Sequence, residues 1–304
     1  MPAPVGGGAA AADGAGGAAA AGTWPLGDLT VNRLGFGAMR LTGDRPFAAD
    51  VPSDRQQSVA VLRRAVELGV NHIDTAAFYF SALRSANELI SAALAPYPAG
   101  LVIVTKVGPG RDTWGEWHTA APEQLRGQVE ENLRQLGRDH LDVVNLRRMR
   151  QDSIADHFGA LAELRNAGLI RHLGVSDVTV SQLDEALAIA PVVCVQNRFS
   201  LEHRSHDAVL RACRERGIAF VPFFAIAGDR RSAGGSGAVS APVQEVARRL
   251  GATPAQVRLA WTLHQGPHVL AIPGTSRPAH VEENVAAAAL RLSAGDLTLL
   301  GSPS

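Results

Sequence analysis

The sequence predicts an α/β fold, a single (β/α)8 TIM barrel, on three observations. Eight short runs rich in β-branched and apolar residues recur along the chain, each followed by a stretch of helical period. At 304 residues the chain holds one barrel of about 250 residues with extensions. The first run leads into Gly37-Ala-Met-Arg-Leu41, without the GxGxxG turn that opens a doubly wound dinucleotide fold. Such an open sheet also usually stops at about five or six strands.

Residues 1–22 contain ten Ala and seven Gly, too little bulk to offset the entropy of ordering the chain, and read as a disordered tail. No Lys or Arg precedes Arg33, so the basic start of a signal peptide is missing. The barrel domain is therefore expected over 23–304. Its strands are expected at 34–39, 70–74, 101–106, 141–146, 172–176, 192–196, 219–223 and 269–273. Helices are expected near 56–69, 82–95, 122–137, 154–167, 179–189, 206–216, 254–265 and 278–289. An added helix near 241–251 and a polar insert at 228–240 lie between strand seven and its helix.

Twenty-nine basic and 29 acidic residues cancel, and the pI is about 7.2. Wrapping nucleic acid or an anionic membrane needs a basic excess, so neither partner is expected. No run approaches the roughly 20 bulky apolar residues that span a bilayer. Cys194 and Cys213 have no CxxC or His-rich neighbourhood, so no metal is expected and both thiols read as small core residues. The expectation is a soluble, cytoplasmic protein acting on a small molecule. No heptad or long exposed apolar run is present, which favours a monomer.

Barrel active sites are assembled from the carboxyl ends of the strands. Strand two ends in Asp74, with Tyr79 in the next loop; strand three ends in Lys106, and strand four runs into Asn145 and Arg147. Strands five to eight end in Ser176-Asp177, Gln196-Asn197, Phe223-Phe224 and Gly274-Thr275-Ser276. A tyrosine is a poor acid at neutral pH unless a cation stabilises its phenolate, which Lys106 could do while Asp74 holds the ammonium. The trio could protonate a carbonyl oxygen while a nicotinamide or flavin delivers hydride, which no side chain can.

Those residues carry a resemblance. Gly69-Val-Asn-His-Ile-Asp74-Thr-Ala-Ala-Phe-Tyr79 resembles the first signature of the aldo-keto reductases, and Val104-Thr-Lys106 their catalytic-lysine strand. Gly174-Val-Ser-Asp177, Val195-Gln-Asn197 and Ile272-Pro-Gly-Thr-Ser276 with Glu283-Asn284 resemble the cofactor segments. The likeness spans about 24–300, and VNRLGFGAMRL, GVNHIDT, LDVVNLR, VCVQN and GIAFVPFF resemble the bacterial branch that includes pyridoxine 4-dehydrogenases. The resemblance implies an NADPH-dependent carbonyl reductase without metal. It makes Tyr79 the general acid, Lys106 the group that lowers its pKa, and Asp74 the residue that orients the lysine. It gives the nicotinamide carboxamide to Ser176, Asp177 and Gln196, the ring face to Phe223, the phosphates to Thr275, Ser276 and Arg277, and the adenine to Glu283 and Asn284.

The sequence departs from that pattern in places. Arg147 stands where most of the family has a histidine that orients the substrate carbonyl; it can donate hydrogen bonds but cannot titrate. Asp177 replaces a commoner asparagine. Phe80 replaces the glycine after the tyrosine and, with Met39, Trp114 and Trp117, is expected in the substrate pocket. With Gly274 and His280 where many members carry Lys and Arg, Arg277 is the cation left for a 2′-phosphate. Pyridoxal-like aldehydes are the best single substrate. The alternatives are a tailoring reductase of a ketone, imine or conjugated double bond, a Schiff-base aldolase using Lys106, and a cofactor-sensing regulatory barrel.

Overall fold

The computed structural model describes residues 17–43, 54–81, 84–111, 116–226 and 239–301. A hairpin of β1 (Thr23–Leu26) and β2 (Leu29–Asn32) precedes the barrel. The barrel strands are β3 (Phe36–Gly37), β4 (His72–Asp74), β7 (Val102–Val107), β10 (Leu141–Arg147), β11 (Ile170–Ser176), β12 (Val192–Gln196) and β13 (Ala219–Phe220). Two short hairpins rise from the loops, β5 (Phe80–Ser81) with β6 (Arg84–Ser85) and β8 (Pro109–Arg111) with β9 (Trp117–Thr119). All seven barrel strands pair in parallel, in the order β13-β12-β11-β10-β7-β4-β3. The eighth expected run closes the ring through two parallel bridges, Phe220 to Val269 and Leu34 to Ala271.

Outer helices follow the expected order: α1 (Arg55–Glu67), α2 (Ala86–Leu94), α3 (Leu125–Leu136), α4 (Ala155–Asn166), α5 (Val180–Leu187), α6 (Asp207–Arg216), α7 (Ala241–Leu250), α8 (Pro254–His264) and α9 (Pro278–Ala286). Their ends are written in the sequence. Thr179 with Gln182 and Thr253 with Gln256 form capping boxes that begin α5 and α8. Gly137, Gly217 and Gly251 end α3, α6 and α7 in the left-handed conformation. The added helix is α7. A short α10 (Ala294–Leu299), not anticipated, starts on a Ser293–Asp296 capping box and is tied to α7 by an Arg249–Asp296 ion pair. The polar insert falls almost wholly outside the described residues.

Alternation along the strands divides the core in two. Ile73, Ile103, Val144, Leu146, Val175, Val195 and Phe220 face out against the helices. Val102, Val104, Val143, Cys194, Ala219 and Leu270 face in and meet Leu26 and Val31 of the hairpin, which plugs the floor. Gly27 turns that hairpin at φ 66, and a side chain there would collide with His172. Asp28 then anchors the plug to His172 Nε2 at 2.6 Å and to Arg171 at 2.5 Å. Gly174 has no Cβ because Asn145 and Cys194 fill its place inside the barrel. Both cysteines are buried, and burial pushes the Cys213 thiol up to about 12, as for core residues.

Part of the segment expected as a tail is ordered. Ala18–Ala21 form a 3-10 turn whose Ala18 is fully buried. Its backbone is bound rather than its side chains: Ala18 N–H donates to Leu68 O at 2.9 Å, and Arg33 and Arg291 donate to Ala21 O and Ala20 O at 3.0 Å. Small residues fit closely here, so low bulk did not mean disorder. Residues 1–16 lie outside the described residues.

His72 pairs in register with the inward Val102 and is 1% exposed, with Nδ1 unpartnered. Burial lowers its pKa to about 4; Asp74 raises it and Lys106 lowers it further. An unfolded histidine titrates near about 6.5, so the neutral buried ring stabilises the fold fully above about pH 6.5 and that stability is lost as pH falls toward 4. Thermal unfolding from pH 7.5 to 4.5 should therefore drop more steeply for wild type than for His72→Gln, by up to about 3 kcal/mol. Parallel curves would refute a neutral His72.

Candidate active site

The inward residues at the strand ends converge at the barrel mouth. Asp74 and Lys106 are 3% and 4% exposed, and Lys106 Nζ donates to Asp74 Oδ1 at 2.6 Å and to Thr75 O at 3.0 Å. The other carboxylate oxygen, Oδ2, accepts from Gln196 Nε2 at 2.7 Å. Burial alone would pull the Lys106 ammonium down, but Asp74 and Tyr79 outweigh it and hold its pKa above the ordinary value. A Schiff base needs a neutral amine, so this environment speaks against the aldolase reading.

Tyr79 sits after the turn that leaves β4, its N–H donating to Ala76 O at 3.0 Å and its carbonyl accepting from Ala86 N–H at 2.9 Å. Lys106 Nζ lies 4.8 Å from the Tyr79 ring centroid. Burial raises the phenol's pKa; Lys106 opposes the shift but does not overcome it. Lys106 thus acts in the expected direction, lowering the pKa, while desolvation of the phenolate is the larger effect and leaves the net shift upward.

Arg147, Ser176 and Gln196 lie side by side in register across β10, β11 and β12. Ser176 is fully buried and Gln196 is 1% exposed, yet Ser176 Oγ and Gln196 Oε1 have no partner. Arg147 Nη1 meets Asp177 Oδ2 at 2.6 Å, and its guanidinium carbon is 5.5 Å from the Phe223 ring.

These groups open onto a cavity of about 420 Å³. Of the residues expected in the site, Met39, Asp74, Tyr79, Lys106, Trp117, Arg147, Ser176, Gln196 and Phe223 line it. Phe80 does not: it pairs with Ser85 in the β5–β6 hairpin. Phe78 takes the wall instead, edge-on to Tyr79 at 5.3 Å and to Trp117 at 6.0 Å. Trp114 lies outside the described residues. Asp177 is turned to Arg147 rather than into the cavity. The sequence reading placed Phe224 at a strand end but gave it no role; its φ is 63 and its ring stands edge-on to Phe223 at 5.2 Å, and Met149 and Ile226, not anticipated, also line the cavity. The Phe223-Phe224 doublet was the available signal.

Ile272 and Pro273 of the eighth run line the cavity, and the residues after Gly274 do not. Gly274 is on its rim, and Thr275, Ser276 and exposed Arg277 lead into α9, with Arg277 N–H donating to Thr275 Oγ1 at 3.1 Å. Glu283 accepts from Thr253 Oγ1 at 2.5 Å, and Asn284 is 7% exposed. No helix among the described residues is long and apolar enough to cross a membrane.

Comparison with known proteins agrees with this geometry. The profile of the Aldo/keto reductase family matches residues 33–302. Pyridoxine 4-dehydrogenase of Escherichia coli is 46% identical over 286 residues, covering 91% of this chain and 96% of that protein. An oxidoreductase of Schizosaccharomyces pombe is 42% identical over 278 residues, covering 90% and 87%. Among solved structures, a thermostable aldo-keto reductase in complex with the inhibitor epalrestat superposes with a TM-score of 0.77 at 29% identity, covering 91% of this chain and 98% of that one. An aldo-keto reductase from Klebsiella pneumoniae in complex with NADPH gives 0.75 at 27% identity, covering 89% and 90%. With the strand order, the buried Asp74–Lys106 pair and a family match across nearly the whole barrel, the chain belongs to the aldo/keto reductase family of oxidoreductases.

Proposed function

We propose that this protein reduces the aldehyde or ketone of a small, ring-bearing metabolite with NADPH, pyridoxal-like aldehydes being the best match. The observation that carries the reading is the convergence, in one aromatic-walled cavity, of a protonated Tyr79, the Lys106–Asp74 pair, and two buried polar atoms without partners. The volume, about 420 Å³, suits a small ligand.

A nicotinamide fits the residues present. Its carboxamide offers an N–H donor and a carbonyl acceptor, and Gln196 Oε1 and Ser176 Oγ, adjacent in register, are an acceptor and a donor with nothing else to bind. Phe223 supplies a ring face beside them. Thr275, Ser276 and Arg277 would hold phosphate at the start of α9, where backbone N–H groups and the helix dipole favour anions. When bound, the nicotinamide supplies hydride to the carbonyl carbon. As the carbonyl π bond opens, Tyr79 O–H gives its proton to the oxygen, and Lys106 stabilises the phenolate left behind. Asp74 keeps that ammonium charged and in place. Phe78, Trp117 and Phe223 give the cavity apolar walls.

The named activity of the Escherichia coli relative supports a pyridoxal-like substrate, and the NADPH complex of the Klebsiella pneumoniae relative supports the phosphorylated cofactor. Arg277 is the cation nearest the start of α9 for the 2′-phosphate. Assays of NADPH oxidation with pyridoxal and simple aromatic aldehydes test the reading. Tyr79→Phe should lower kcat by about 10²- to 10⁴-fold while cofactor binding, followed by fluorescence, is retained; near-normal turnover in that variant would overturn the mechanism. Arg277→Glu should raise the KM for NADPH about tenfold or more and leave that for NADH nearly unchanged. A wild-type preference for NADH would sink the assignment of cofactor.

A further inference from the structure

The two departures from the family pattern at the mouth, Arg147 and Asp177, are in contact with each other. They lie 30 positions apart in sequence, at the ends of neighbouring strands, and their charged groups meet at 2.6 Å, each between a quarter and a third exposed. Only Arg147 lines the cavity.

Asp177 is held firmly. Its φ is 62, a left-handed conformation that few residues other than Gly, Asn and Asp adopt readily. Its N–H donates to Gln196 O at 3.0 Å, and its carbonyl accepts from Arg148 Nε at 2.7 Å. Asn197 grips the next peptide on both sides, accepting from Val178 N–H at 3.0 Å and donating to Val178 O at 2.7 Å. Strained backbone pinned in this way is typical of functional positions. The carboxylate is thus presented to Arg147 from a fixed point. The contact is an ion pair made through Nη1, a buried atom.

We propose that Asp177 is a positioning residue for carbonyl reduction: it holds the Arg147 guanidinium against the cavity wall beside Phe223, aimed at the substrate oxygen, and cancels its charge. The inference rests on the reading of the site as a carbonyl reductase. Of the cations lining the cavity, which include Arg40 and Arg150, Lys106 and Arg147 then each face a carboxylate, Asp74 and Asp177. These two cations can donate hydrogen bonds to a carbonyl oxygen without acting as traps for ground-state anions, and their donation strengthens as charge develops on that oxygen. An arginine without its partner, in a cavity walled by aromatic rings, would instead favour substrates that arrive already negative. On this proposal Asp177 serves Arg147 rather than the cofactor carboxamide.

Asp177→Asn is the informative variant, because Asn accepts the left-handed backbone and removes only the charge. Its kcat/KM with NADPH is measured for benzaldehyde and for 3-carboxybenzaldehyde, alone and in an Arg147→Gln background, and NADPH binding by each variant reports that it is folded. The account expects the preference to shift toward the carboxylate-bearing aldehyde by about tenfold, with the KM for NADPH unchanged within about twofold. In the Arg147→Gln background the same substitution should change the preference no further, since the two residues act as one unit. A raised KM for NADPH with unchanged preference, or equal effects of Asp177→Asn in both backgrounds, overturns it. Wild-type protein that reduces neither aldehyde overturns the carbonyl-reductase reading beneath it.

Discussion

The structure depends on one contact, the buried ion pair between Lys106 and Asp74. Removing two charges from water costs several kcal/mol each, and their attraction repays it only when the geometry is close and the remaining valences are satisfied. Here the separation is 2.6 Å, Thr75 O takes a second ammonium proton, and Gln196 takes the second carboxylate oxygen. The pair therefore fixes three strand ends at once. It also decides how Gln196 is oriented: with Nε2 committed to Asp74, Oε1 is the atom left facing the cavity. The ion pair and the acceptor offered to a ligand are one arrangement.

The sequence marks this contact in its composition. Of 29 basic residues, 28 are arginine, and Lys106 is the only lysine in the chain. Wherever a cation serves the surface or a helix end, arginine suffices. Between Asp74 and Thr75 O sits a compact ammonium with three rotatable donors, a shape that a planar guanidinium does not share, and the proton transfer proposed for Tyr79 calls for a point charge. At strand four the opposite holds: Arg147 is broad enough to reach Asp177 and lie near Phe223 together. The two cations are not interchangeable, and each matches its place.

Most of the barrel was legible because its strands are short β-branched runs and its helices carry their caps. Asp74, Lys106, Ser176 and Gln196 were legible because barrel topology forces strand ends to one face. What was missed follows from other physics. The β1–β2 hairpin turns on Gly27-Asp28, a recognisable two-residue signal, but its purpose as a floor plug depends on His172, far away in sequence. Ala18–Ala21 are ordered by backbone hydrogen bonds to Arg33 and Arg291, which composition cannot express. Phe78 rather than Phe80 forms the wall because the chain turns into a hairpin directly after Tyr79. The sign of the Tyr79 shift rests on a balance between desolvation and a nearby ammonium, and only the packed structure weighs them.

The presence of a single lysine makes the central contact directly observable. Protein grown with ¹⁵N-labelled lysine carries one labelled ammonium, and its chemical shift followed against pH reports the charge on Lys106 alone. The account predicts that Nζ titrates above the ordinary lysine value of about 10.4, and that Asp74→Asn brings it below that value, because burial then acts without its counter-charge. A wild-type Lys106 that titrates below about 10.4, or one that Asp74→Asn leaves unmoved, would contradict the ion pair on which the site is built.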